Sequence, residues 1–151
     1  MEMELTIQQV AQQTGLSVHT LRYYERYGLL EPIDRASNGH RRYSAEDVKR
    51  IEFLTRLRAT GMPIREIQNF TQLFREQPNA IAERRAVLEA HEQRVQANIQ
   101  ELQRNLEAIQ WKIRYYKTLE ANPNEMHERN DCLTAGQAFL LELSRKYEPE
   151  K

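Results

Sequence analysis

The chain has one cysteine in 151 residues. No disulfide can form within it, which excludes a cross-linked scaffold and fits a reducing cytoplasm. It has no apolar run of ~18 residues, so no membrane-spanning helix is expected. No secretory leader is visible at its start, so nothing suggests export. It also lacks net charge, since 22 Lys and Arg balance 22 Asp and Glu. Bulk electrostatics therefore give no argument for a general polycation that coats nucleic acid. No solenoid repeat and no low-complexity tract is present. The four His are scattered at positions 19, 40, 91 and 127. With no nucleophile–base pair, no Gly-rich phosphate loop and no clustered carboxylates, neither an enzyme nor a bound cofactor is expected.

What is there begins near the N-terminus. Ile7, Val10 and Ala11 fall at i, i+3, i+4, one face of a helix. Gly15 follows, the residue type that most easily takes the left-handed backbone ending a helix. Thr14-Gly15-Leu16 makes a short turn, and Ser17 is a good N-cap for a second helix. Val18, Leu21, Leu29 and Leu30 anchor that segment, while His19, Thr20, Arg22, Tyr23 and Arg26 cannot all be buried. A helix-turn-helix places its second helix in the DNA major groove, N-terminal residues nearest the base edges. Ser17, His19 and Thr20 are the candidates for base contact. Arg22 and the hydroxyl of Tyr23 suit phosphates.

Residues 32–43 carry Arg35, His40, Arg41 and Arg42, with Asp34 as the single acid. Asn38-Gly39 is a strong turn signal between short extended stretches. A basic hairpin beside a recognition helix is what a DNA-gripping wing needs. From Ser17 to Arg58 there are nine Lys and Arg against six Asp and Glu; from Glu76 to Lys151 there are eleven against thirteen. The basic side is the N-terminal half, by a modest margin, which predicts specific binding with a moderate salt dependence.

A second helical pair follows. Ser44-Ala45-Glu46-Asp47 resembles a capping box, and Val48, Ile51, Leu54 and Leu57 recur at helical spacing. Gly61 breaks the helix and Pro63 suits the first turn of the next. Ile64, Ile67, Phe70, Leu73 and Phe74 form an apolar stripe that reads as core.

The long segment from Ala80 to Leu119 keeps a heptad. With Ile99, Leu106 and Ile113 at a, the d positions are Ile81, Leu88, Val95, Leu102, Ile109 and Tyr116. The first two a positions, Arg85 and Glu92, are polar. Such a 3.5-residue seam argues for a coiled coil, which needs a partner, and a second copy of the chain is the simplest one. Trp111 and Tyr115 lie off the seam, at f and c. The segment Thr134–Tyr147 opens with a helix-start pattern and carries Phe139 and Leu143, so it can fold back over those rings. Asn122-Pro123-Asn124 would make the turn.

Leu21-Arg22-Tyr23-Tyr24-Glu25, Gly28-Leu29-Leu30, Gly39-His40-Arg41-Arg42-Tyr43 and Leu57-Arg58-Ala59-Thr60-Gly61-Met62 occur in an order that resembles the MerR family of bacterial transcription regulators. The resemblance runs from about Leu5 to Phe74, and the long helix fits it. It implies a mainly α-helical fold: a winged helix-turn-helix head with a small β wing (1–76), a coiled-coil dimerisation helix (77–121) and a C-terminal segment with a short helix (122–151). It implies DNA contacts from Arg22 and Tyr23 on the recognition helix, Arg41 and Tyr43 in the wing, and Arg58 on the helix after it. His40 stands where the family frequently has Tyr. It further implies an antiparallel homodimer on an inverted repeat within a promoter spacer, and distortion of that spacer for RNA polymerase in response to an effector. The alternative is an excisionase-like architectural DNA protein, against which the long helix argues.

Among branches of the family, the chain looks most like the one answering aldehydes and thiol stress, although Arg56 stands where that branch carries a reactive Cys. Family metal sensors place Cys ligands at the start of the dimer helix, and this chain has none there. His127 and Cys132 are too few for a soft-metal site, so no metal is expected. Cys132, beside Asp131, has no strong basic activator. The remaining effector candidates are Trp111, Tyr115, Cys132 and Phe139, with an apolar pocket the place to look.

Overall fold

Thr6, Ser17 and Ser44 open the first three helices, each by accepting a hydrogen bond from a backbone N–H three residues on. The cap hydroxyls satisfy donors that the first turn of a helix leaves unpaired. Thr6 and Gln9 form a reciprocal capping box, and so do Ser44 and Asp47. The computed structural model describes residues 4–122 and 129–146, with the backbone alone for 129–135. Among them are α1 (Ile7–Thr14), α2 (Val18–Arg26), α3 (Ala45–Ala59), α4 (Ile64–Glu76), α5 (Ile81–Ala121) and α6 (Arg129–Lys146). The chain divides into two compact units, Met1–Val95 and Gln96–Lys151.

In the first unit, Gly15 ends α1 at φ +72°, a left-handed backbone in which a side chain would be strained. The turn folds α2 back onto α1, and α3 packs on both α1 and α4. Val10, Leu21, Tyr43, Ile51 and Met62 form the fully buried centre. Tyr24 joins this core, while Tyr23 is half-buried with its ring 4.4 Å from that of Tyr27.

The wing is smaller than the expected β hairpin. Among the described residues it is two isolated antiparallel bridges, Leu5 with Tyr43 and Arg35 with Arg41. The Ala36–Gly39 turn consumes the tip: the Gly39 N–H donates to the Ala36 carbonyl at 2.8 Å, with Gly39 at φ +80°. Too few residues remain on either side to extend a ladder.

The head runs past residue 76, because the first turns of α5 pack against it. Val87 and Leu88 touch the core cluster, and Ala80 is buried. Leu88, expected on the dimer seam, is half-buried and touches the core of the head. His91, 6% exposed, is held by two polar neighbours. The Thr60 hydroxyl lies 2.7 Å from His91 Nε2 and 2.8 Å from the Arg56 carbonyl. The His91 Nδ1 faces the Arg94 guanidinium at 3.5 Å. Arg94 is also paired with Glu66 of α4.

In the second unit, α5 carries an uncovered apolar row. Ile99, Leu102, Leu106, Ile109, Ile113 and Tyr116 are all exposed, Leu102 at 67%. Val95, at the edge of the first unit, is half-buried. On another face, Trp111 stacks on Tyr115 (5.6 Å, 12°) and on Phe139 of α6 (5.1 Å, 15°). The fold-back expected from the sequence is thus present. Helix α6 begins at Arg129, five residues before the expected Thr134. Its far end is tied by Lys146 Nζ donating to Glu107 at 3.2 Å. His127, the Pro123-Asn124 turn and the Cys132 side chain lie outside the described residues. No helix among the described residues is long and apolar enough to cross a membrane.

Candidate nucleic-acid interface

Three segments meet around a polar hollow of about 510 Å³ in the head. The first turn of α1 supplies Thr6, Ile7 and Gln8; α2 supplies Arg22; the wing supplies Arg35, Gly39, His40, Arg41 and Arg42. The local fold explains the convergence. The bridge between Leu5 and Tyr43 brings the foot of the wing to the start of α1 through backbone hydrogen bonds of 2.8 and 2.9 Å. The hollow then opens beside a helix N-terminus, where the backbone dipole favours an anion. Four guanidinium groups line it. Phosphate is the ligand whose charge and acceptor geometry match that set.

One carboxylate sets the geometry of the wing. Glu25 of α2 forms an ion pair with Arg41 and lies 3.8 Å from Arg35. The hydrogen bond to Glu25 pushes the Arg41 pKa further above its ordinary value, so this guanidinium is permanently charged. Arg35 also donates to the Gly39 carbonyl at 3.0 Å, which ties the wing tip. Arg22 is exposed and has no ion pair among the described residues. Glu25 was not singled out from the sequence. Its place three residues after Arg22, on the same helical face and amid cations of the following loop, was the available signal.

The other expected contacts are distributed. His19 is exposed and Thr20 half-buried at the start of α2. The Ser17 hydroxyl is occupied as the cap, accepting from the Thr20 N–H at 3.0 Å and lying 2.8 Å from the Thr20 hydroxyl. Neither these three nor Tyr23 lines the hollow. Arg58 is exposed on α3, its Nη1 donating to the Met62 carbonyl at 3.3 Å.

Tyr43 is placed otherwise than expected. Its side chain is 0% exposed and its hydroxyl has no hydrogen-bond partner among the described residues. In this structure it is a core prop beneath the wing, and no phosphate can reach it. Burial, reinforced by the charge of Glu25, raises its pKa above the usual 10. The folded state thus favours the neutral phenol, and the stability this contributes is present below pH 10 and lost as the pH rises through the raised value. Tyr43→Phe removes the stranded hydroxyl. It is expected to leave DNA affinity unchanged and to be neutral or stabilising by about 1 kcal/mol. Thermal melts should also show less loss at alkaline pH. A tenfold drop in DNA affinity would return the hydroxyl to the DNA.

In the second unit the space beside the aromatic stack is an open hollow of about 560 Å³, shared by Trp111, Ala138, Phe139 and Leu143 with Glu107, Arg114, Glu142 and Lys146. The rings face one another, so they cover much of each other's apolar surface. Among the described residues no group of three His, Cys, Asp or Glu is placed to hold a metal ion.

Comparison with known proteins agrees with this geometry. Residues 5–73 match the family model "MerR HTH family regulatory protein", and residues 48–112 match "MerR, DNA binding". The chain is 42% identical over 91 residues to the HTH-type transcriptional regulator AdhR of Bacillus subtilis, covering 60% of this chain and 65% of that protein. It is 31% identical over 119 residues to an HTH-type transcriptional regulator of Haemophilus influenzae, covering 79% of this chain and 88% of that protein. Among solved structures, HiNmlR, a MerR family regulator lacking the sensor domain and bound to promoter DNA, superposes with a TM-score of 0.73 at 30% identity. That match covers 80% of this chain and 96% of HiNmlR. A MerR family regulator from Bacillus thuringiensis gives 0.68 at 35% identity, over 76% of this chain and all of that one. These relatives are transcriptional regulators. The paired helices, the basic wing and the long helix after them are those of the MerR family of helix-turn-helix transcriptional regulators, to which this chain belongs.

Proposed function

We propose that the protein acts as a homodimer on an inverted repeat within a promoter spacer and distorts that DNA to switch transcription in response to an effector. The observation that carries this reading is the exposed apolar row on α5. Six large apolar side chains in heptad register are not left in water by a lone helix, and a second copy offers the self-complementary cover. Two heads fixed by one dimer helix read two half-sites at a fixed separation. Bending or untwisting the DNA between them costs a few kcal/mol, which the additional contacts offset. RNA polymerase is the partner that benefits when promoter elements lie too far apart. The cytoplasm is where such a partner and the chromosome are found.

Trp111, Tyr115 and Phe139 are our candidates for an effector surface in the C-terminal half. The similarity to AdhR supports placement in the aldehyde and thiol-stress branch, with Arg56 standing where that branch has its cysteine. Reactivity of Cys132 is then a separate question, answered by thiol labelling.

Chromatin immunoprecipitation with footprinting tests the reading. Sharp protection over inverted repeats between overspaced promoter elements is the expected result. Broad enrichment without promoter bias would overturn it in favour of an architectural, excisionase-like role. At a target promoter, shortening the spacer should make transcription independent of the protein. Continued dependence would refute the distortion mechanism.

A further inference from the structure

The joint between the head and α5 holds the one buried polar residue, tyrosines aside, among the described residues. It is His91, about three turns into the long helix. A buried polar group is a net cost unless it is bonded, because burial takes it from water. The neighbours of His91 show what it does there. Its Nε2 lies 2.7 Å from the hydroxyl of Thr60, the C-cap of α3. Its Nδ1 lies 3.5 Å from Arg94, which is paired with Glu66 of α4. One turn of α5 thus reaches both helices that follow the wing.

The apolar contacts at the same joint do not fix a direction. Val87 and Leu88 pack on the core of the head. Apolar burial is non-directional, so a small slide of α5 costs little of it. A hydrogen bond weakens steeply as its angle departs from the optimum. The Arg94–Glu66 pair is the weaker of the two polar ties. Its side chains are 47% and 37% exposed, and exposed ion pairs contribute little. The His91–Thr60 contact is made by a ring that water barely reaches, at 6% exposure. Fixing register is the best-attested use of a buried polar group in helix packing. Further ties run from α4 to the recognition helix. Gln68 donates to the carbonyl of Tyr27, the C-cap of α2, at 2.7 Å, and Thr71 donates to the Leu29 carbonyl at 3.1 Å.

We propose that His91 is a positioning residue for DNA recognition. Its contact with Thr60 sets the start of α5 on the head in one register, so that the two recognition helices of a dimer meet half-sites at one separation. The proposal rests on the regulator reading above. One base pair moves a half-site by about 3.4 Å and turns it by about 35° round the duplex. A fixed setting discriminates between such separations, and a loose one does not.

The test is operator binding by the full chain as a function of half-site separation. The probes are duplexes carrying the footprinted inverted repeat, at its native separation and with one base pair added or removed. Wild type is expected to prefer the native separation. His91→Leu keeps the apolar filling of the joint and removes the polar tie. It should flatten that preference by about two- to thirtyfold, the range for residues that carry coupling between sites. Thr60→Val removes the same contact from the α3 side and should act likewise. His91→Gln keeps a side-chain amide for the Thr60 hydroxyl and should restore much of the preference. Circular dichroism shows that each variant is folded. A merely structural role gives another pattern, a lower melting temperature with the same factor of lost affinity at every separation. That pattern would overturn the proposal, and so would an unchanged preference in both His91→Leu and Thr60→Val. A second readout needs no DNA. With Cys132→Ser and a spin label at Gln12→Cys, an exposed position on α1, the label-to-label distance in the dimer should be narrow in wild type and broader in His91→Leu. Equal widths would overturn the role of His91 alone. A wild-type protein indifferent to separation would instead count against the regulator reading, and this positioning role would fall with it.

Discussion

Leu102→Glu is expected to convert the protein from dimer to monomer and to lower operator affinity by two to four orders of magnitude. Leu102 is the most exposed of the large apolar side chains on the α5 row between residues 99 and 116, at 67%. In an isolated chain that exposure makes the substitution harmless, and helix propensity barely changes between Leu and Glu. In a dimer it places carboxylates in an apolar seam, where an unpaired charge costs several kcal/mol. The loss of DNA affinity follows from the loss of linkage. Two tethered heads bind with an avidity about 10²–10⁴ above that of one head alone. Sedimentation reads the first effect and gel shift the second. A Leu102→Glu protein that still sediments as a dimer would refute the seam. A conservative Leu102→Ile should keep both properties.

Arg41→Ala should harm DNA binding more than Arg22→Ala, although Arg22 is the more exposed. Removing Arg22 deletes one cation, so the salt slope should fall by about one and affinity by about tenfold. Removing Arg41 deletes a cation and also strips Glu25 of its main partner. The freed carboxylate then stands beside the phosphates, and the wing loses its link to α2. Glu25→Gln in the same chain removes the repulsion, so the double variant should regain part of the loss. This is a double-mutant cycle with a predicted sign. Strict additivity of Arg41→Ala and Glu25→Gln would show that the pair does not act as a unit at the DNA.

Much of this head was legible in the sequence because its signals are local. A cap hydroxyl reaches three residues and a turn glycine acts at one position, so Ser17, Ser44 and Gly15 could be placed without knowledge of the fold. The heptad on α5 is also local periodicity. Non-local facts were less legible. Leu88 fits the heptad as well as Val95 does, but whether it faces the head or solvent depends on the packing of α3 and α4, which periodicity does not encode. Tyr43 reads as an amphipathic wing residue, and only the bridge to Leu5 turns it inward. The role of Glu25 needs the wing to be folded against α2. Phe70 and Phe74 read as core from their spacing, and only the fold shows Phe74 to be exposed.

The pairing of Glu25 with Arg41, and its approach to Arg35, has a consequence for how the protein finds its targets. A chromosome offers on the order of 10⁶–10⁹ competing sites, and every unshielded cation lengthens each unproductive stop. A head whose Arg41 and Arg35 are held by an internal carboxylate is expected to grip arbitrary sequence less tightly. On the proposed DNA-binding reading, one acidic residue is expected to keep the regulator from being soaked up by the genome it must search.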